Sequence, residues 1–408
     1  VDIWHSPLVY YGVTTLVKFV VLIVLFVLPM ASVLTWMERR QSAYSQDRLG
    51  PHRAHFFKLF GRPVTLGGLV HVGADAIKML FKEPFQPQAA DGFIFQVAPA
   101  IGFVASIMVM SLIPFGPDIH TGWEAPWDVI PLQIVRVDTS LLLVFALGSL
   151  GIYGTALAGW SSNNKFALLG GLRASAQSVS YEIALGLTVV GMLMIGGSTE
   201  LSALVGQQSG AALMGLVPRW GLFMQPLAAV LFFVAAMAET KRAPFDMPEG
   251  ESEIIGYFVE YSSMGFGLFM LGEFVEVVVL AALFSTLFLG GWQLPWADIS
   301  RGGGQSPWLH GLLGMAVFAV KVFLLCAFQL QVRWTLPRFR YDQVMQLGWK
   351  GLLPLSLLNI FVTALLVWWD PTLDILTGVG CTLLLLFALV VVAGPRKAPR
   401  IVPLAASH

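Results

Sequence analysis

Between Ala238 and Tyr261 the chain reads AETKRAPFDMPEGESEIIGYFVEY, and this short stretch carries Glu239, Asp246, Glu249, Glu251, Glu253 and Glu260. Only two cations, Lys241 and Arg242, stand among them. Crowded carboxylates cannot all ionise side by side, so some must share protons or meet water, which suits them to proton exchange. Apolar runs flank the stretch, and a charge at the centre of a bilayer costs roughly 3 kcal/mol or more. Pro244 and Pro248 oppose one continuous helix, so irregular backbone tucked against protein is expected. Other ionisable groups sit inside apolar runs: Glu182, Glu273, Glu276 and Lys321, with Glu38 ending the first run. Glu273 and Glu276 share a helix face at i, i+3. Lys321 with one of them, here Glu276, makes a structural ion pair; alternatively these buried acids carry protons. Glu182 and the cluster at 239–260 have too few cations nearby for pairing, which favours a hydrated, proton-exchanging chain.

Other chemistries find little support. The two cysteines, Cys326 and Cys381, lie in apolar runs with no CxxC, which argues against a protein-held iron–sulfur cluster or structural zinc. No histidine lies deep in an apolar run, which argues against bis-histidine haem ligation. His52, His55 and His71 share one loop, where a hydrogen-bonded role outweighs a site. There is no Gly-rich phosphate loop and no Ser/His/Asp logic. Alone, the chain has no means of moving electrons.

The elements that position these acids follow from composition. The 408 residues are 56% hydrophobic and only 12% charged, with mean hydropathy +0.75, against about 25% charged in soluble domains. The apolar runs are long and unalternating, so the expected fold is an all-α polytopic membrane protein rather than a barrel. We read one membrane domain over 1–408. Nine runs can cross a bilayer, near 15–37, 93–115, 140–160, 175–196, 220–238, 257–289, 309–332, 351–369 and 373–393. Glu182 falls about seven residues into the fourth, roughly 10 Å along a helix. The sixth is longer than the hydrocarbon core, so it is expected to tilt, bend or protrude, with Gly265 and Gly267 as candidate bends. No cleavable signal or transit segment is read before the first run.

Nineteen of the 24 Lys and Arg residues fall in alternate loops, which places the N-terminus outside, the C-terminus in the cytoplasm and the acidic stretch inside. The first inner loop, 38–92, contains VTLGGLVHVGADAIKMLFKE, apolar at helical spacing but too charged to span. It reads as an amphipathic helix in the interface or beneath the spans. The segments RRQSAYSQDRLGPHR and RWTLPRFRYDQ mix Arg, Pro and aromatics, as a docking surface for a soluble partner would; the positive-inside rule and anionic lipid account for the charges alone. Trp-rich outer loops fit the headgroup level. No transporter-type repeat is visible.

Taken in order, MERR (37–40), GPHR (50–53), ADAIKMLFKEP (74–84), WSSNNKFALLGGLRASAQSVSYE (160–182), AETKRAPFDMPEGESE (238–253), VEY (259–261) and LPRFRYDQVMQLGWK (336–350) closely resemble the H subunit of respiratory complex I, the family of mitochondrial NADH dehydrogenase subunit one. The resemblance runs over 15–369; the segment 370–408, an extra span and tail, lies beyond it. It implies a membrane subunit of a proton-translocating NADH:quinone oxidoreductase in the bacterial inner membrane. Its inner loops would build a quinone chamber for a substrate entering sideways from lipid. By motif, the chamber side is Glu38, Arg39, Asp75, Ala76, Lys78 and Phe245. The coupling chain is Glu182, Glu239, Asp246, Glu249, Glu251, Glu253, Glu260 and Glu273. The resemblance further implies that this chain binds no cofactor itself. FMN and iron–sulfur clusters would reside in partner subunits. The partners would be peripheral-arm quinone-module subunits, small membrane subunits, antiporter-like subunits and membrane lipids, and not nucleic acid. The run HFFKLFGRPVTLGGLVHVG departs from the family's usual Gln-Pro-bearing segment, and Phe166 stands where Tyr is common.

Two rivals remain. The equivalent subunit of an energy-converting hydrogenase or ferredoxin-linked dehydrogenase shares the acidic loop, although the full inner-loop set favours the quinone enzyme. A stand-alone proton-coupled transporter would purify by itself, whereas a complex I subunit would bring iron–sulfur subunits with it.

Overall fold

The computed structural model describes residues 7–55, 58–59, 62–63, 65–122, 127–248, 256–296, 307–370 and 372–393. Every one of the nine apolar runs carries a helix. The first is α1 (Pro7–Val21) and α2 (Leu28–Ser45), joined through one π-helical turn at Leu22–Val27. The amphipathic helix is α3 (Val70–Phe81), followed by α4 (Gly92–Ser111), α5 (Ser140–Ser161) and α6 (Lys165–Gly196). Short α7 (Leu201–Gln207) and α8 (Gly221–Met224) lead into α9 (Pro226–Glu239), and then come α10 (Ser263–Phe288) and α11 (Pro307–Thr335). The chain closes with α12 (Tyr341–Gln346), a π turn at Leu347–Leu352, α13 (Leu353–Trp369) and α14 (Asp374–Ala393). Among the described residues seven helices are long and apolar enough to cross a membrane; Pro226–Glu239 and Asp374–Val390 are shorter apolar helices. Among the same residues, strand is confined to three two-residue antiparallel pairs in loops. The molecule is an all-α polytopic membrane protein.

Helix ends follow local chemistry. The Asn164 side chain accepts a hydrogen bond from Phe166 N (2.9 Å) and starts α6 ten residues earlier than the apolar run at 175–196 suggests. Gly197, at φ 58°, ends it in the left-handed conformation that glycine adopts freely. The 32 residues of α6 extend about 48 Å, so the helix outruns a hydrocarbon core of about 30 Å. Glu182 accordingly sits about 26 Å from its start, not near its beginning.

The sixth span is shorter than the 257–289 run. α10 begins at Ser263, and residues 257–261 form a turn laid against α6. Gly265 and Gly267 lie in the unbroken first turns of α10. They let Tyr261 and Met79 approach it, each within 3.1 Å of where a Cβ would stand. α10 is buried along most of its length and forms the centre of the bundle, with Val275, Val278, Ala281 and Leu283 fully enclosed. The outer surfaces of α13 and α14 are apolar and open: Phe361, Trp368, Trp369, Phe387 and Val390 all project outward, as lipid-facing side chains do. α3 lies against the start of α10: Ser263 Oγ donates to Met79 O (2.9 Å) and Ser262 Oγ to Glu83 O (3.2 Å). Its Ile77, Leu80 and Phe81 remain exposed, as an interfacial helix requires.

Candidate functional site

α6, α9 and α10 bring the buried acids to one place. Glu182 of α6, Glu239 at the end of α9, and Glu273 and Glu276 of α10 line a single cavity of about 100 Å³ together with Lys241 and Tyr257. Apolar side chains including Val144, Phe269 and Leu280 make up most of the remaining wall. A water needs roughly 10–15 Å³ of such space, so several fit. The Ser149 hydroxyl on α5 donates to Glu182 Oε1, and the Tyr257 hydroxyl donates to Glu273 Oε1 at 2.9 Å. Four carboxylates and one lysine thus border one small space with room for water.

The segment leaving α9 is held from both sides. Gln177 Nε2 on α6 donates to Ala238 O (2.7 Å) and Phe245 O (2.8 Å), clasping the turn that contains Lys241 and Arg242. The main-chain carbonyl of Asp246 accepts from Arg338 Nη2, which ties the turn to the segment after α11. Glu249, Glu251 and Glu253 lie outside the described residues. Their flanks come together: a Cβ on Gly256 would stand 3.4 Å from Pro248 O. The turn at 257–261 then seats on α6 at Gly170, where a Cβ would meet Tyr257 N at 2.8 Å.

Two further cavities open around the end of α2 and the helix α3. One, of about 430 Å³, is bordered by Glu38, Arg39, Arg48, His52, His71 and Trp334. The other, of about 460 Å³, is bordered by Arg39, Asp75, Lys78, Tyr261, Ser262 and Phe266. Arg39 pairs with Asp75 and belongs to both walls. Glu38 accepts from two guanidinium groups, Arg242 Nη1 (2.8 Å) and Arg333 Nη1 (2.7 Å). The three loop histidines do not converge: His52 donates to Gly50 O, His55 contacts Arg53 O, and His71 Nε2 accepts from Ala54 N.

The NADH dehydrogenase family pattern matches residues 17–364. The chain is 40% identical over 354 residues to the H subunit of NADH-quinone oxidoreductase from Flavobacterium psychrophilum, covering 85% of this chain and 96% of that one. It is 41% identical over 370 residues to the corresponding H subunit from Thermomicrobium roseum, covering 90% and 98%. It is 39% identical over 374 residues to one of the H subunits of NADH-quinone oxidoreductase from Geobacter sulfurreducens, again covering 90% and 98%. The chain belongs to the family of NADH-quinone oxidoreductase H subunits.

Within this family's fold, the residues singled out by sequence divide into three groups. Glu182, Glu239 and Glu273 meet in the central cavity, and Glu38, Arg39, Asp75 and Lys78 border the two adjoining cavities that share Arg39. Phe245, Ala76, Asp246 and Glu260 line none of these cavities. Phe245 is buried between the rings of Tyr181 and Phe339. Ala76 faces outward from α3. Glu260 accepts from Asn164 Nδ2 (2.7 Å) at the start of α6.

The ion pair expected between Lys321 and Glu276 does not form. Lys321 Nζ donates to the carbonyls of Leu289 (2.6 Å), Gly291 (2.8 Å) and Gln293 (2.5 Å) and lies over the Trp220 ring at 4.5 Å. The physical reason is supply. The turn that follows α10 directs three carbonyls at the ammonium, and these converging oxygens solvate it without a counter-charge. Glu276 is thereby left to the central cavity. Ser149 and Tyr257 were not singled out by sequence, because their partners, Glu182 and Glu273, lie on other elements and no spacing rule reveals them.

Proposed function

We propose that this chain is the quinone-chamber subunit of a proton-translocating NADH:quinone oxidoreductase. The observation that carries the reading is the gathering of Glu182, Glu239, Glu273 and Glu276 around one cavity, beside an inner mouth built from Glu38, Arg39, Asp75 and Lys78. Quinone is the substrate, admitted at the mouth. The electrons come from an iron–sulfur cluster in a partner subunit; FMN resides in another. This chain's own part is to place the quinone and to register its change of charge. Reduction to quinol consumes two protons, and the resulting change in local field shifts the coupled carboxylates. In sequence, Asp246 and the acids at 249, 251 and 253 stand between Glu239, at the central cavity, and Tyr261, at the mouth. The N-terminus faces outward and the C-terminus the cytoplasm, in a bacterial inner membrane. The other complex I subunits, peripheral and antiporter-like, are its partners.

The test uses the intact complex in vesicles. Purified through a tag on this chain, it is expected to bring iron–sulfur subunits with it. Glu239→Gln, and likewise Glu249→Gln or Glu251→Gln, is expected to lower NADH:quinone reductase activity at least roughly tenfold. Electron transfer from NADH to ferricyanide, which bypasses this subunit, stays at wild-type rate. Wild-type quinone reduction and proton transfer in all three variants would remove these carboxylates from the mechanism.

A further inference from the structure

We propose that Tyr257 is the positioning residue for Glu273, holding that carboxylate toward the central cavity. The proposal rests on the functional reading above and adds a residue to it. The Tyr257 ring is almost wholly buried, edge-on to Phe258 and Phe269 at centroid distances of 5.2 and 5.3 Å. A phenylalanine would make the same ring contacts. The hydroxyl adds a bond that a phenylalanine lacks, donated to Glu273 Oε1 at 2.9 Å. A buried hydroxyl is stabilised by an acceptor, and the Glu273 carboxyl supplies one.

The position of Tyr257 gives that bond its consequence. Its backbone nitrogen is seated on α6 at Gly170, and its side chain reaches across to α10. The residue is thus a strut between the helix that carries Glu182 and the helix that carries Glu273 and Glu276. It also borders the cavity these acids share. A donor fixed to α6 selects one orientation of the Glu273 carboxyl. It leaves the other oxygen free for water or a neighbouring acid. The charged and titratable groups facing the same space are Glu276 of α10, Glu182 of α6, Glu239 of α9 and Lys241 of the following turn. The parts of α4 and α5 that border it contribute glycines, apolar side chains and the hydroxyls of Ser106 and Thr155, none of which titrates near neutrality.

The experiment is Tyr257→Phe in the intact complex, alone and combined with Glu273→Gln. Alone, it is expected to lower the coupled rate roughly threefold or more and to displace its pH profile. In the Glu273→Gln background it is expected to have no further effect, since the bond has lost its ionisable partner. Infrared difference spectra supply a readout independent of turnover: the carboxyl stretch removed by Glu273→Gln is expected to rise in frequency in Tyr257→Phe, as one hydrogen bond is lost. Glu273→Asp keeps the acid but withdraws it from the hydroxyl, and is expected to reproduce the displaced profile should Tyr257→Phe fail to assemble. An unchanged rate, profile and infrared band overturns the proposal. So does an equal loss with and without Glu273. A wild-type complex that reduces no quinone would instead sink the functional reading, and the infrared band would still decide the role of Tyr257.

Discussion

Glu38 and Arg242 meet at 2.8 Å although 204 residues separate them in the chain. Arg242 is among the most buried charged residues described, and its guanidinium also lies over the Phe274 ring at 4.1 Å. Arg333 closes the other oxygen of Glu38. One carboxylate therefore ties α2, the turn after α9 and α11 together. Glu38→Gln removes the charge that keeps two guanidiniums together. The expected loss is about 2–4 kcal/mol of stability. Thermal unfolding of the solubilised complex measures it, and an unchanged midpoint would mean that the arginines find other partners at no cost.

Gly170→Ala tests the seat of the turn at 257–261. The added methyl meets Tyr257 N at 2.8 Å and Gly256 C at 3.0 Å, both backbone atoms that cannot swing aside. Overpacking of this kind costs about 1–3 kcal/mol. Quinone reductase activity is expected to fall with it, because the strut to Glu273 is displaced. Proteolysis at the inner surface, compared with wild type, reports whether the turn has come away from α6.

Lys321→Met leaves the carbonyls of Leu289, Gly291 and Gln293 without their donor. Buried polar groups stranded in this way cost about 1–3 kcal/mol. The double variant with Glu276→Gln separates this role from an ion pair. The two effects are expected to add within about 0.5 kcal/mol, since the groups do not interact. A coupling energy well above that restores the pairing.

At the opposite end of the helices, Arg136 Nε donates to Glu200 (2.7 Å) and Nη1 to Asp118 (3.0 Å), fastening the loop after α4 to the loop after α6. Burial acts upward on Glu200, but the Ser202 hydroxyl and the Arg136 guanidinium together hold its carboxyl below the usual carboxylate range. The unfolded chain thus binds this proton more readily than the folded one. The contribution is complete above the unfolded value of about 4.3 and is lost as pH falls through the lower folded value. Arg136 is half exposed, so the effect is about 1 kcal/mol or less. Glu200→Gln is expected to flatten the acid limb of the unfolding midpoint. An identical acid limb would assign the loss to other carboxylates.

Much of this fold was readable in the chain, for a definite reason. Bilayer thickness, apolar run length and the placement of Lys and Arg act over tens of residues, and each of the nine runs became a helix. Boundaries depended on single side chains: Asn164 extended α6 inward, and the turn at 257–261 shortened α10. The carboxylates were legible because a buried acid is conspicuous in an apolar run. Their partners were not. Lys321 met carbonyls at a helix end, and Tyr257 met Glu273 from another element. Phe245 matched a family motif yet sits in a ring stack, since a motif fixes residue type and not the direction of a side chain.

The last helix packs against α8 and α9. Its Gly380 lies so close to Phe223 O, at the break between α8 and α9, that a Cβ there would overlap that oxygen. Gln225 leaves the helical conformation there (φ −137°, ψ 64°) and Pro226 has no N–H to continue the hydrogen-bond ladder, and hydrocarbon cannot solvate a carbonyl freed by such a break. α14 therefore acts as a shutter over a gap in the fifth span. A protein of this architecture without that helix would have to borrow its shutter from a neighbour, which makes this edge a place where the composition of the surrounding assembly can vary.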